Sequence, residues 1–144
     1  MPRPALALVT VVAGTLLLGA CGSGLPSSSR VNLMITPTQT SVSAGGTVTL
    51  TGNATGFTQT PIVQWWIQEA QATGGDNCGY LQPPAASPCE FGYVMFGSVS
   101  QFPSSATYYA PSTPGTYHVV FEASQFSEFD HLSKTATATI TVTR

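Results

Sequence analysis

An all-β sandwich is the fold class this sequence predicts, and three observations predict it. Short segments of β-branched and aromatic residues alternate with polar ones at period two, Gly, Pro and Ser punctuate them about every ten residues, and no segment shows a helical 3.6-residue period. From Val31 onward the chain has the length of one domain.

Before the domain comes a segment of another kind. Arg3 gives a short positive start, and Ala5 to Leu18 form an almost unbroken apolar stretch closed by small residues. That is the layout of a secretory signal peptide. A run of about 14 apolar residues is too short for a membrane-spanning helix, which needs about 20.

The stretch ends Leu18-Gly19-Ala20-Cys21. All four positions resemble the lipobox of bacterial lipoproteins, in which the cysteine is acylated and becomes the first residue of the mature chain. The resemblance implies removal of residues 1–20 and a palmitate-type lipid on Cys21, hence a membrane partner through the N-terminal lipid. Stable anchoring takes more than one acyl chain, which a diacylated or triacylated cysteine supplies. Gly22 stands where some lipoproteins carry an inner-membrane aspartate, so the resemblance implies the outer membrane of a bacterial envelope. Residues 21–30, CGSGLPSSSR, are small and polar without a hydrophobic period and read as a flexible tether.

The domain, residues 31–144, opens with a strand from Val31 to Thr36 that Pro37 ends. A turn at Ala44-Gly45-Gly46 leads into TVTLTGN, where Val48 and Leu50 face one way and Thr47, Thr49 and Thr51 the other. IVQWWI, Ile62 to Ile67, is the third strand, with Val63, Trp65 and Ile67 on one face. Gly92 to Gln101 and Ala106 to Ala110 read as two more. Tyr117, Val119 and Phe121 then alternate with His118, Val120 and Glu122, and Ala136, Ala138, Ile140 and Val142 alternate with Thr135, Thr137, Thr139 and Thr141.

Three cysteines is an odd number, and lipidation of Cys21 removes the odd one. Cys78 and Cys89 remain in GGDNCGYLQPPAASPCEFG, with ten residues between them, and an oxidising compartment lets such a pair close. A disulfide-pinned insertion after the third strand is therefore expected. In the chain-entropy model a bridge over such a loop contributes about 3 kcal/mol. Zinc is a poor alternative, because neither cysteine has a CxxC partner.

At this point the chain resembles the bacterial immunoglobulin-like domains, through TPTQTSVSAGGTVTLTGNATG, the VQW of the third strand, YYAPSTPGTYHV and the closing KTATATITV. The resemblance implies an immunoglobulin-like β-sandwich of about seven strands. It makes Trp65 the core tryptophan and puts Tyr117 at a tyrosine corner. Leu50 and Val119 stand where antibody domains have their inter-sheet cysteines, so the core is held by packing.

Charge narrows the function. Only 7% of residues are charged and the formal net charge is −2. Arg30, Lys134 and Arg144 form no basic patch, so nucleic acid is not an expected partner. Glu69, Asp76, Glu90, Glu122, Glu128, Asp130 and the two histidines make no catalytic spacing, and GxSxG, HExxH and a phosphate loop are absent. No enzyme activity and no cofactor are expected. Glu128 and Asp130 offer two carboxylates where calcium takes about six or more oxygens, so no metal is expected either. Asn53-Ala54-Thr55 matches a glycosylation sequon, read as chance in a chain of bacterial character.

Two surfaces remain as binding leads. ASQFSEFDHLS, Ala123 to Ser133, is expected as a surface loop between the last two strands. The immunoglobulin arrangement puts it at the same end as ATGFTQTP, which carries Phe57. Phe57, Phe126 and Phe129 with Asp130 and His131 form either an aromatic contact patch or a plug for the open end of the sandwich. The second lead is Trp66 beside His118, Gln64 and Glu122, able to stack on a sugar ring unless an adjoining loop covers it. The threonine row is read as a solvent face. The sequence thus points to a lipid-anchored envelope protein whose domain serves binding, adhesion or envelope structure, with an envelope protein or glycan as partner. A carbohydrate-binding accessory lipoprotein using surface aromatics is the alternative.

Overall fold

In the computed structural model the described residues are 25–28, 30–72, 89–98, 102–128 and 130–144. The expected signal peptide (residues 1–20), Cys21, Asp76, Cys78 and Phe129 lie outside them. Among the described residues eight strands form two four-stranded sheets. The first sheet runs in the order β1 (Asn32–Thr36), β3 (Thr47–Thr55), β6 (Ser104–Tyr109), β5 (Tyr93–Phe96). The second runs β2 (Gln39–Ser43), β8 (His131–Thr143), β7 (Gly115–Phe126), β4 (Ile62–Ile67). Every pairing is antiparallel except β2 with β8, which is parallel.

Counting β1 and β2 as two halves of one strand leaves seven, distributed over the sheets as in the immunoglobulin fold. The chain crosses from one sheet to the other at Pro37, after a cis Thr36–Pro37 bond. Gln39–Ser43 was not expected as a strand. Its only aliphatic residue is Val42, and pairing along the edge of β8 supplies what its composition lacks. The segment expected as the insertion comes after Ile62–Ile67, the third strand in this count, with the helix Gln68–Ala72 between them. Cys89 is described and its expected partner Cys78 is not, so the bridge itself lies outside the described residues.

The core is built by the alternation the sequence shows. Trp65, Tyr108, Phe121, Leu50, Ile140, Val63 and Val119 are its largest fully buried side chains. Each contributes about 1.5–3 kcal/mol by leaving water. Trp65 faces Phe121 directly across β4 and β7, with ring centroids 4.7 Å apart. The indole Nε1–H of Trp65 donates to Ser104 Oγ of the opposite sheet at 2.9 Å, which satisfies a donor that burial would otherwise orphan. Tyr117 donates its hydroxyl to the Thr113 carbonyl at 2.9 Å, the expected tyrosine corner.

Four further differences separate the structure from the sequence reading. The helix α1 (Gln68–Ala72) has five residues, too few to display a period, and its Glu69 ties it to β7. The strand expected over Gly92–Gln101 is Tyr93–Phe96 among the described residues, and that expected over Ala106–Ala110 begins at Ser104. Most of the loop expected over Ala123–Ser133 is strand: β7 and β8 stay paired from Ala123↔Lys134 to Phe126↔His131, leaving only residues 127–130 as the turn. Gln125 hid this continuity, because a polar side chain occupies an inward, 4% exposed position there.

Candidate functional site

Two regions collect the residues singled out above: one end of the sandwich and the outer face of the second sheet. The end is assembled by the 56–61 connection between β3 and β4, the 127–130 turn and Phe102. Gln125 joins the first two. Its Oε1 accepts from the Thr58 backbone N–H at 3.1 Å, and its Nε2 donates to Thr58 Oγ1 at 2.7 Å. The two connections thus share one end, as the immunoglobulin arrangement implies.

Their aromatic rings divide between roles. Phe57 and Phe102 are partly buried against the core and line a shallow depression with Ala54 and Thr58 to Pro61. Phe126 points outward, 58% exposed, and stacks on His131 at 4.4 Å with 13° between the rings. Asp130 and His131 are tied into the turn. Asp130 Oδ1 accepts the His131 backbone N–H at 2.8 Å, and the Asp130 backbone N–H donates to Ser127 Oγ at 3.1 Å. Phe102 was not singled out in the sequence, because the 8–12-residue turn rhythm hides which loop rings fold inward.

On the outer face of the second sheet, Gln64 lies directly opposite Glu122, and half-buried Trp66 opposite Val120. His118 is a full step farther along β7 and is held by the helix: Glu69 accepts from its backbone N–H at 3.0 Å and contacts its ring Nδ1 at 2.6 Å. Trp66 and His118 are therefore diagonal neighbours and not a side-by-side pair. Glu122 instead accepts from the hydroxyls of Ser124, at 3.3 Å, and Ser133. Strand parity alone could have found both serines, since Ser124 and Ser133 share its face and face each other in register. Thr139 and Thr141 line an open groove with Thr116, Gln39, Thr40 and Ser41.

The first sheet carries an unforeseen feature on its outer face. Tyr93 and Tyr109 stand directly opposite in register and stack at 4.4 Å with 7° between rings. Burial, then the neighbouring Tyr109, pushes the Tyr93 phenol above its ordinary range. Inside, burial raises the Tyr108 phenol further, with Tyr117 and Glu69 adding to it, and its hydroxyl donates to the Phe91 carbonyl at 2.9 Å. Among the described residues no three His, Cys, Asp or Glu side chains gather as metal ligands, and no helix is long and apolar enough to cross a membrane.

No protein-family model matches the chain, and no curated protein matches it. Among solved structures, the chain is similar to domain 1 of VCBP3 from Branchiostoma floridae, at 16% identity and a TM-score of 0.44, over 83% of this chain and 97% of that one. It is also similar to the ZirS C-terminal domain, at 11% identity and a TM-score of 0.37, over 100% of this chain and 86% of that one.

Proposed function

We propose that this chain is a lipid-anchored protein of the bacterial cell envelope, probed by partners through a non-catalytic immunoglobulin-like domain. The observation that carries the reading is the order of parts: an apolar segment ending in LGAC, a small polar tether, and a first strand that starts at Asn32 directly after it. Cys21 carries the lipid, and a Cys78–Cys89 bridge pins the insertion. The outer membrane is the anchoring membrane in this reading. The outer face of the second sheet is the surface offered to an envelope partner, since its threonine row and Gln64 can hydrogen-bond without the desolvation cost of many charges.

Intact-mass measurement and membrane fractionation of the wild type and Cys21→Ala test the anchor. Acylation and membrane association of the wild type are expected to vanish in the variant. Membrane fractionation of Cys21→Ala that still needs detergent to reverse it would sink the reading.

Half-buried Trp66, in line with Gln64 on β4 and next to the Gln64↔Glu122 pair, favours glycan as the partner class in a second reading. An amphipathic ring flanked by hydrogen-bonding side chains suits a sugar. A glycan array with the wild type and Trp66→Ala separates it from protein recognition: a sugar signal that the substitution removes supports glycan.

A further inference from the structure

We infer that the end of the sandwich bearing Phe126 and Ile62 rests on the bilayer, as an interfacial contact with zwitterionic lipid. The inference depends on the lipid-anchor reading above and adds an orientation to it.

The tether enters at this end. Asn32, the first residue of β1, pairs with Thr55, the last of β3. The Arg30 backbone lies so close to Gly56 that a Cβ on that glycine would strike the Arg30 carbonyl, and Gly56 takes the left-handed φ of +86° that this approach requires. The entering chain is thus fixed beside the 56–61 connection, on the same side as Thr58 and Gln125.

The length of the tether then limits how the domain can sit on the membrane. The ten residues from Cys21 to Arg30 reach at most about 33–36 Å. The thirteen residues of β8 make the sandwich about 40 Å tall at about 3.3 Å per residue. With Cys21 held at the surface the entry end stays within about 33–36 Å of the bilayer, so the domain cannot stand inverted on its opposite end, where Thr143 pairs with Ser43.

The exposed apolar residues are distributed accordingly. Among the described residues the exposed large hydrophobic side chains are Met34, Ile62 and Phe126. Ile62 is the first residue of β4 and Phe126 the last of β7, and both share the outer face. Met34 sits two residues inside the start of β1. All three lie at the tethered half. Formal charge there is slightly negative, Arg30 and Lys134 against Glu122, Glu128 and Asp130, so the contact draws on no attraction to anionic lipid. Membrane interfaces take up apolar side chains to a depth of about 5–10 Å, which suits two rim residues and not a whole face.

The test uses the acylated full-length protein in phosphatidylethanolamine vesicles containing phosphatidylcholine brominated high in its acyl chains. Phe126→Trp and Ser112→Trp report from the two ends, with the wild-type emission of Trp65 and Trp66 subtracted. Bromolipid is expected to quench the tryptophan at 126, to leave the one at 112 unquenched, and to do so equally at low and high salt. Acylated protein in which position 126 is quenched no more than position 112 overturns the orientation and leaves the anchor standing. Protein recovered from cells without acylation at Cys21 overturns the anchor and the orientation together.

Discussion

Alanine in place of Gly52 puts a methyl carbon 2.8 Å from Cδ2, Cε1 and Cε2 of Phe121. Non-bonded carbons rest about 3.5–4.0 Å apart, so the ring has to retreat by about 1 Å. It has nowhere to go: Phe121 is 0% exposed, and Trp65 packs on it at 4.7 Å. Overpacking of this kind costs about 1–3 kcal/mol, and removing a glycine from a strand interior returns about 0.5–1 kcal/mol. The net expectation for Gly52→Ala is a loss of up to about 2.5 kcal/mol, centred on about 1 kcal/mol. Urea unfolding followed by tryptophan emission should show a lower midpoint at unchanged slope. Phe121→Leu on its own should also destabilise, by leaving a gap, and the double substitution should be more stable than the sum of the two losses predicts. A midpoint for Gly52→Ala at or above the wild type, or simple additivity in the double variant, would refute the reasoning.

The remaining expectations concern hydrogen bonds, titration and the bridge. Ser104→Ala leaves the buried Trp65 Nε1–H without its acceptor and should cost about 1–3 kcal/mol; an unchanged unfolding midpoint would contradict that. Burial above all holds the Tyr108 phenol protonated in the folded state beyond the ordinary value. The unfolded chain therefore releases this proton first, and the stabilisation is complete below about pH 10 and lost as pH rises further. Unfolding midpoints measured from about pH 9 to 11 should fall, and fall less steeply in Tyr108→Phe. Reducing the proposed Cys78–Cys89 bridge should raise hydrogen exchange on either side of residues 73–88 with the sandwich still folded, and global unfolding on reduction would show that the bridge supports the core.

Much of the fold was legible because the core obeys strict alternation. Leu50, Trp65, Val119, Phe121 and Ile140 each fall on the inward parity of a strand and are at most 1% exposed. What escaped notice depends on partners distant in sequence. β2 is made of Gln, Thr, Ser and one Val and becomes a strand only through β8. The β7–β8 hairpin looked like a loop because inward Gln125 is satisfied by Thr58, 67 positions away. The candidate surfaces were legible in part: the shared end of the two connections was foreseen, whereas the inward turn of Phe57 and Phe102 depends on packing that local pattern does not encode. Trp66 and His118 were read as a side-by-side pair open to a sugar or covered by a loop, and a helix too short to foresee supplies the carboxylate that holds His118.

The parallel pairing of β2 with β8 also sets how the domain bears mechanical load. Tension applied between residue 31 and Thr143 pulls the start of β2 toward one end of the sandwich and the end of β8 toward the other. Because the two strands run the same way, this force slides them along each other. The five register pairs from Gln39↔Thr139 to Ser43↔Thr143 are strained together, whereas a hairpin pulled at its open end parts one bond at a time. A chain held at one end and dragged by whatever grips its far side would therefore resist as a unit until that short parallel seam gives way.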